Sequence, residues 1–157
     1  VNVLLSTLKP QSGNAFISGH NITTEMDQVR PHMGLCPQQD IIWDSLTAIE
    51  HINLFAGLKG MDGAALSAEV ERLLHSVDLW EDRSRQAGEY SGGMKRRLSI
   101  ALALTGDPRV VFLDEPTTGL DPISRRKVWK LIRQSAEGRT LLMTTHSMEE
   151  ADLLGDR

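Results

Sequence analysis

Four consecutive apolar residues, Val110-Val111-Phe112-Leu113, run straight into Asp114-Glu115-Pro116. An uninterrupted branched run of this kind suits a strand covered on both faces, the habit of parallel sheets flanked by helices. Pro116 has no N–H to extend a ladder, so the strand is expected to end there. The two carboxylates then stand at the C-terminal exit of the strand, the end at which open α/β sheets bind ligands. A second run, Leu141-Leu142-Met143, predicts another buried strand, and Met33 to Cys36 a third, stopped by Pro37. Helical patterns separate them: residues 94–104, then 122–136 with Pro122 in the first turn, then 147–154 with Ser147 as N-cap and Glu149 and Glu150 beside it. Helix, strand, helix, strand, helix argues for an α/β domain with a parallel sheet.

The first half is less regular. Residues 1–8 read as the tail of a helix stopped near Pro10 and Gly13, and residues 15–18 as a short strand closed by Gly19. Thr47-Ala48-Ile49-Glu50 has the capping-box pattern. The helix it opens carries Ile49, Ile52, Phe55 and Leu58 at near-helical spacing, and residues 65–77 form another helical stretch with Val70, Leu73, Leu74 and Val77 apolar. Residues 81–86 are polar and read as a connection. The middle third, roughly residues 40–86, is expected to be an inserted, mostly helical subdomain.

Composition closes off several classes. With 17 Lys+Arg against 21 Asp+Glu the net charge is -4, so no nucleic-acid partner is expected. A single cysteine, Cys36, excludes an internal disulfide framework. No segment approaches the ~20 apolar residues that span a bilayer.

Four places carry chemistry. Asp114 can hold Mg²⁺ through its water shell, because this small hard ion prefers oxygen and keeps its waters. Glu115 can polarise a water for attack on a phosphate. An isolated Asp-Glu pair is also compatible with a solvated strand end, but the full string from Leu113 to Pro122 is far more particular. Ser91-Gly92-Gly93-Met94 opens a helix with a good N-cap, and its glycines let N–H groups approach an anion; a plain glycine turn is the alternative. Lys95, Arg96 and Arg97 read as a solvated helix face. Gln38 can accept from an ion's water shell and donate to a phosphate oxygen, although taken alone a Pro-Gln pair reads more readily as a surface loop. His146 stands at a second strand exit, which favours a phosphate contact over a purely structural role.

Together and in this order, these residues resemble the nucleotide-binding domain of ATP-binding-cassette (ABC) proteins over the whole chain. Gln38 matches the Q-loop. Ser91, Gly92, Gly93 and Met94 match the signature motif, usually Leu-Ser-Gly-Gly-Gln, from which Tyr90 and Met94 depart. Residues 110–114 match the Walker B strand, Gly119-Leu120-Asp121 the D-loop and His146 the switch histidine. Cys36-Pro37-Gln38-Gln39-Asp40, Leu46-Thr47-Ala48-Ile49-Glu50-His51 and His146-Ser147-Met148-Glu149-Glu150-Ala151-Asp152 look like the A subfamily of eukaryotic ABC transporters, mostly lipid or sterol exporters or flippases.

The resemblance implies a P-loop NTPase fold with a parallel core sheet and a helical subdomain at about residues 40–105 that includes the signature motif. It implies ATP and Mg²⁺ as cofactors, with Asp114 and Gln38 on the metal side and Glu115, His146 and Gln38 serving hydrolysis. Ser91, Gly92, Gly93, Met94 and Asp121 would meet the nucleotide of a second nucleotide-binding domain, head to tail. The transmembrane domains of the same transporter would be the other partner, at the cytoplasmic face of a membrane. The alternative is a soluble ABC ATPase acting in translation, DNA repair or chromosome structure.

The family's P-loop ends in Gly-Lys-Ser/Thr, and no Gly-Lys pair occurs in these 157 residues. The resemblance puts that loop just before Val1 and further strands after Arg157. The expectation is therefore a partial domain, truncated at both ends, that hydrolyses ATP negligibly by itself.

Overall fold

A computed structural model describes residues 12–156. The helix expected at residues 1–8 lies outside the described residues. Strands β1 (Phe16–Ile17) and β2 (His20–Asn21) form a small antiparallel hairpin. After a short α1 (Met26–Val29) and a 3₁₀ turn, β3 (Met33–Cys36) enters a three-stranded sheet. Then come α2 (Ala48–Leu58), α3 (Gly63–Ser76), α4 (Gly92–Leu104), β4 (Val110–Asp114), α5 (Pro122–Ser135), β5 (Thr140–Thr144) and α6 (Met148–Leu154). The sheet order is β3-β4-β5, parallel throughout, with Met33 opposite Val110 and Asp114 opposite Thr144.

The central strand explains its own apolar run. Alternate residues of a strand face opposite sides. Val111 and Leu113 join the larger apolar cluster with α2, α3, α4 and α5, while Phe112 joins a smaller one with Ile17, Ile22, Val29 and Met33. All three are buried. β5 departs from the expectation of a buried strand. Leu141 and Met143 pack on the larger cluster, but Leu142 is 45% exposed. β5 pairs with β4 among the described residues, and its face that carries Leu142 is open.

The capping box is formed in full: Thr47 Oγ1 accepts from Glu50 N, and the Glu50 carboxylate accepts from Thr47 N. It fixes the start of α2, whose Ile52 and Ala56 are fully buried; Leu58, expected on the same face, is 78% exposed. α4 is the hinge of the architecture. It packs against β3 and β4 and against α2, α3 and α5. Its approach to β3 is close enough that a Cβ at Gly34 would overlap the Ala103 carbonyl.

Candidate functional site

β4 delivers Asp114 and Glu115 to the C-terminal edge of the sheet, and two neighbouring segments meet them there. Glu115 adopts φ 45°, a left-handed conformation unusual for a non-glycine residue. It is held by its own N–H, which donates to Thr144 O and to Thr144 Oγ1, both at 3.1 Å. Strain of this kind, fixed by surrounding bonds, clusters at functional sites. The Thr144 hydroxyl also donates to Asp114 Oδ1, so β5 clamps both acids.

The Glu115 carboxylate is mostly buried, with its side chain 15% exposed. Its Oε2 accepts from Gln38 Nε2 at 2.9 Å and from Thr118 Oγ1 at 3.1 Å. Its Oε1 lies 2.6 Å from His146 Nε2. Two residues singled out from the sequence, Gln38 and His146, thus converge on the carboxylate of a third, Glu115, with Asp114 next to it in the chain.

The donors also suit a hard divalent cation. Gln38 uses its amide N–H on Glu115, which leaves Oε1 as an acceptor, and Asp114 adds a carboxylate. No cluster of three or more His, Cys, Asp or Glu side chains occurs among the described residues. Mg²⁺ fits that sparse set, since it keeps several waters and shares its shell with substrate phosphates.

Ser91, Gly92, Gly93 and Met94 form a second group, at the N-terminus of α4. Ser91 Oγ accepts from Met94 N. Gly92 faces open space, as an anion site requires, whereas Gly93 is glycine for another reason: a Cβ there would come within 2.7 Å of Ser124 Cβ on α5. Tyr90 and Met94 turn toward the protein. Tyr90 is buried and donates from its hydroxyl to Asp82 O, and Met94 is half-buried against the larger cluster. Asp121 caps α5, its Oδ1 accepting from Ile123 N and Ser124 N. Hydrogen bonding from Ser124, by side chain and then backbone, holds its carboxyl below the usual carboxylate range.

The solvated face expected at residues 95–97 is not there. Arg96 is 4% exposed and Arg97 8%. Arg96 donates to the carbonyls of Pro37, Gln38, Asp114, Glu115 and Pro116 and pairs with Asp40 at 2.9 Å. One guanidinium therefore gathers the backbone beneath Gln38 and beneath Glu115, and it reaches them from the helix that Ser91 caps. Arg97 donates to Val77 O, Asp78 O and Asp78 Oδ2. Lys95 pairs with Asp44 at 2.7 Å. A signal was present in the sequence: three cations at the start of a helix oppose its dipole unless something else holds them.

The sequence and fold have close counterparts among known proteins. The family model described as ABC transporter matches residues 1–118. ABC transporter A family member 2 of Arabidopsis thaliana is 50% identical over all of this chain, which spans 16% of that protein. ATP-binding cassette sub-family A member 7 of Mus musculus is 47% identical, again over all of this chain but over 7% of its own length. A solved dimeric ATP-binding cassette in a post-hydrolysis state, bound to ADP and Pi, superposes with a TM-score of 0.81 at 26% identity, covering 97% of this chain and 70% of that one. The chain belongs to the ABC transporter family, as a nucleotide-binding domain resembling those of its A subfamily, with the P-loop NTPase fold.

Proposed function

We propose that this domain binds ATP with Mg²⁺ and hydrolyses it as one of two cassettes that drive a membrane transporter, with lipid as the transported substrate. The observation that carries the reading is the Glu115 carboxylate at the end of β4, with Gln38, Thr118 and His146 on its two oxygens. Glu115 is the base. As a water attacks the γ-phosphate, its proton passes to the carboxylate. In the arrangement described, both oxygens are engaged, so that water needs one of them released. Gln38 lies on the loop after β3 and His146 has 87% of its side chain exposed. Both donors are free to turn to phosphate oxygens, which would hand the carboxylate to the water. Asp114 and Gln38 would hold Mg²⁺, which when bound offsets charge on the phosphates.

The dimeric state of the related cassette, and its ADP and Pi, support a paired, nucleotide-binding assembly. In it, Ser91, Gly92, Gly93, Met94 and Asp121 would face the nucleotide bound by the partner cassette. Exposed Ile41, Trp43 and Leu54, around the loop after Gln38 and along α2, support docking on transmembrane domains. No helix among the described residues is long and apolar enough to cross a membrane. The membrane location, at the cytoplasmic face, would come from those partners. The transporter names of the relatives weigh against the soluble alternative.

The test is ATP turnover by the full-length protein. Glu115→Gln should lower kcat by ~10²–10⁴-fold while ATP is still bound; unchanged turnover removes Glu115 from this role. Lipid transport is checked with a fluorescent phospholipid in proteoliposomes of the same protein. ATP hydrolysis with no lipid movement would overturn that part alone.

A further inference from the structure

One buried carboxylate plays no part in the chemistry above. Glu150, in the first turn of α6, is 1% exposed. Its Oε1 accepts from Thr117 Oγ1 at 2.9 Å and from Trp129 Nε1 at 3.0 Å, and its Oε2 accepts from the Thr145 hydroxyl. All three donors are neutral, and they come from three segments. Thr117 lies two residues after Glu115, Trp129 is on α5, and Thr145 immediately precedes His146. The Thr145 hydroxyl also accepts from Ser147 N at 3.0 Å. It therefore ties the backbone on both sides of His146 to Glu150.

His146 has little else to fix it. With its side chain 87% exposed, its place beside Glu115 is set by the backbone that carries it. A satisfied buried network is stiff, and an acceptor-only group with three donors leaves little room for slippage. We propose that Glu150 is a positioning residue for hydrolysis, locking the segment that bears His146 to the turn that follows Glu115. This rests on the reading that those two residues serve ATP hydrolysis.

The two oxygens have different duties, which makes the proposal testable. Thr117 and Trp129 share Oε1, while Thr145 holds Oε2. Glu150→Gln, with its oxygen toward Thr117 and Trp129, keeps two bonds and turns an amide toward Thr145. It therefore replaces the charge-assisted bond from Thr145 with a reversed, neutral one and leaves the Thr145 proton without this acceptor, which perturbs the His146 side selectively. In the full-length protein, Glu150→Gln and Thr145→Val should each lower kcat by ~10–100-fold, the scale of a small misplacement, with KM for ATP nearly unchanged. Trp129→Phe removes a bond from the same carboxylate on the α5 side. It should lower the melting temperature and leave kcat within about twofold. In a His146→Ala background, Glu150→Gln should cost nothing further, because residues acting as a unit are not additive. Equal loss of turnover in Trp129→Phe and Thr145→Val would overturn the proposal. So would an undiminished effect of Glu150→Gln once His146 is gone. Glu115→Gln run alongside separates the two levels: turnover surviving in that variant sinks the hydrolysis reading and this inference with it.

Discussion

His146 Nε2 and Glu115 Oε1 lie 2.6 Å apart, although 31 positions separate them in the chain and one of the two side chains is almost wholly in solvent. An exposed contact of this sort adds little to stability, at most ~1 kcal/mol. On the proposed function its importance is chemical. His146→Ala should leave the melting temperature nearly unchanged and lower kcat for ATP by ~10²-fold, as removal of one hydrogen-bonding group from a hydrolytic site does. Steady-state kinetics beside thermal unfolding of the full-length protein checks both halves. A large stability loss with kcat intact would show the pair to be structural.

Arg96 should behave in the opposite way. Its guanidinium satisfies the carbonyls of Pro37, Gln38, Asp114, Glu115 and Pro116, and its partner Asp40 is itself three-quarters covered. Arg96→Met keeps much of the volume but orphans those acceptors and the Asp40 charge. The expected cost is ~3–5 kcal/mol in urea unfolding. Arg96→Lys should recover little of it, because an ammonium lacks the planar fork that reaches several carbonyls at once. Recovery to near wild-type stability in the lysine variant would mean that charge alone is what matters there.

The contrast between these two residues shows what was legible in the sequence. Glu115 and His146 were recognisable because each sits at the end of an apolar run, and runs mark strands; Gln38, weak by itself, stood out only through the resemblance in motif order. The parallel sheet followed from the same runs, and the Thr47–Glu50 cap from spacing alone. Arg96 was misread because local pattern treats a charged residue as solvated unless a partner is visible nearby. Its partners lie 18–59 positions away and are mostly backbone carbonyls, which have no sequence signature. Leu142 was misread for a related reason. A run of apolar residues says that a strand is present, but not whether both of its faces are covered. Glu150 is legible only as an acid in the first turn of a helix, where the dipole favours it, because neither Thr117 nor Trp129 declares itself as its donor.

Gly34 gives a prediction about the frame that holds the site. A Cβ there would overlap the Ala103 carbonyl oxygen and stand 2.9 Å from its carbon. That neighbour is backbone of α4, so it cannot yield by a rotamer change. Gly34→Ala should destabilise the domain by ~1–3 kcal/mol or more, as overpacking does. It should also move α4 relative to β3, shifting Arg96 from the strand exits. Chemical denaturation gives the first quantity and turnover the second. A variant as stable and as active as wild type would contradict so close an approach of helix and strand.

Glu69 makes the domain's acid stability predictable in sign. It is buried on α3, and burial alone would raise its pKa; Arg72, with two N–H bonds at 2.8 Å, and Gly106 N at 2.8 Å outweigh that. Its carboxyl is therefore held below the ordinary glutamate value of ~4.3. A group depressed in the folded state contributes stability that is complete above its unfolded pKa. The contribution is lost as pH falls through the lower folded-state value. Glu69→Gln should accordingly be less stable than wild type near neutrality. The gap should be constant down to about pH 5 and then close as acid protonates the wild-type carboxyl. Urea unfolding of both proteins across pH 3–7 measures it. A gap that widens below pH 5 would require the Glu69 carboxyl to be raised on folding, and the pairing with Arg72 and Gly106 would then not be what governs its charge.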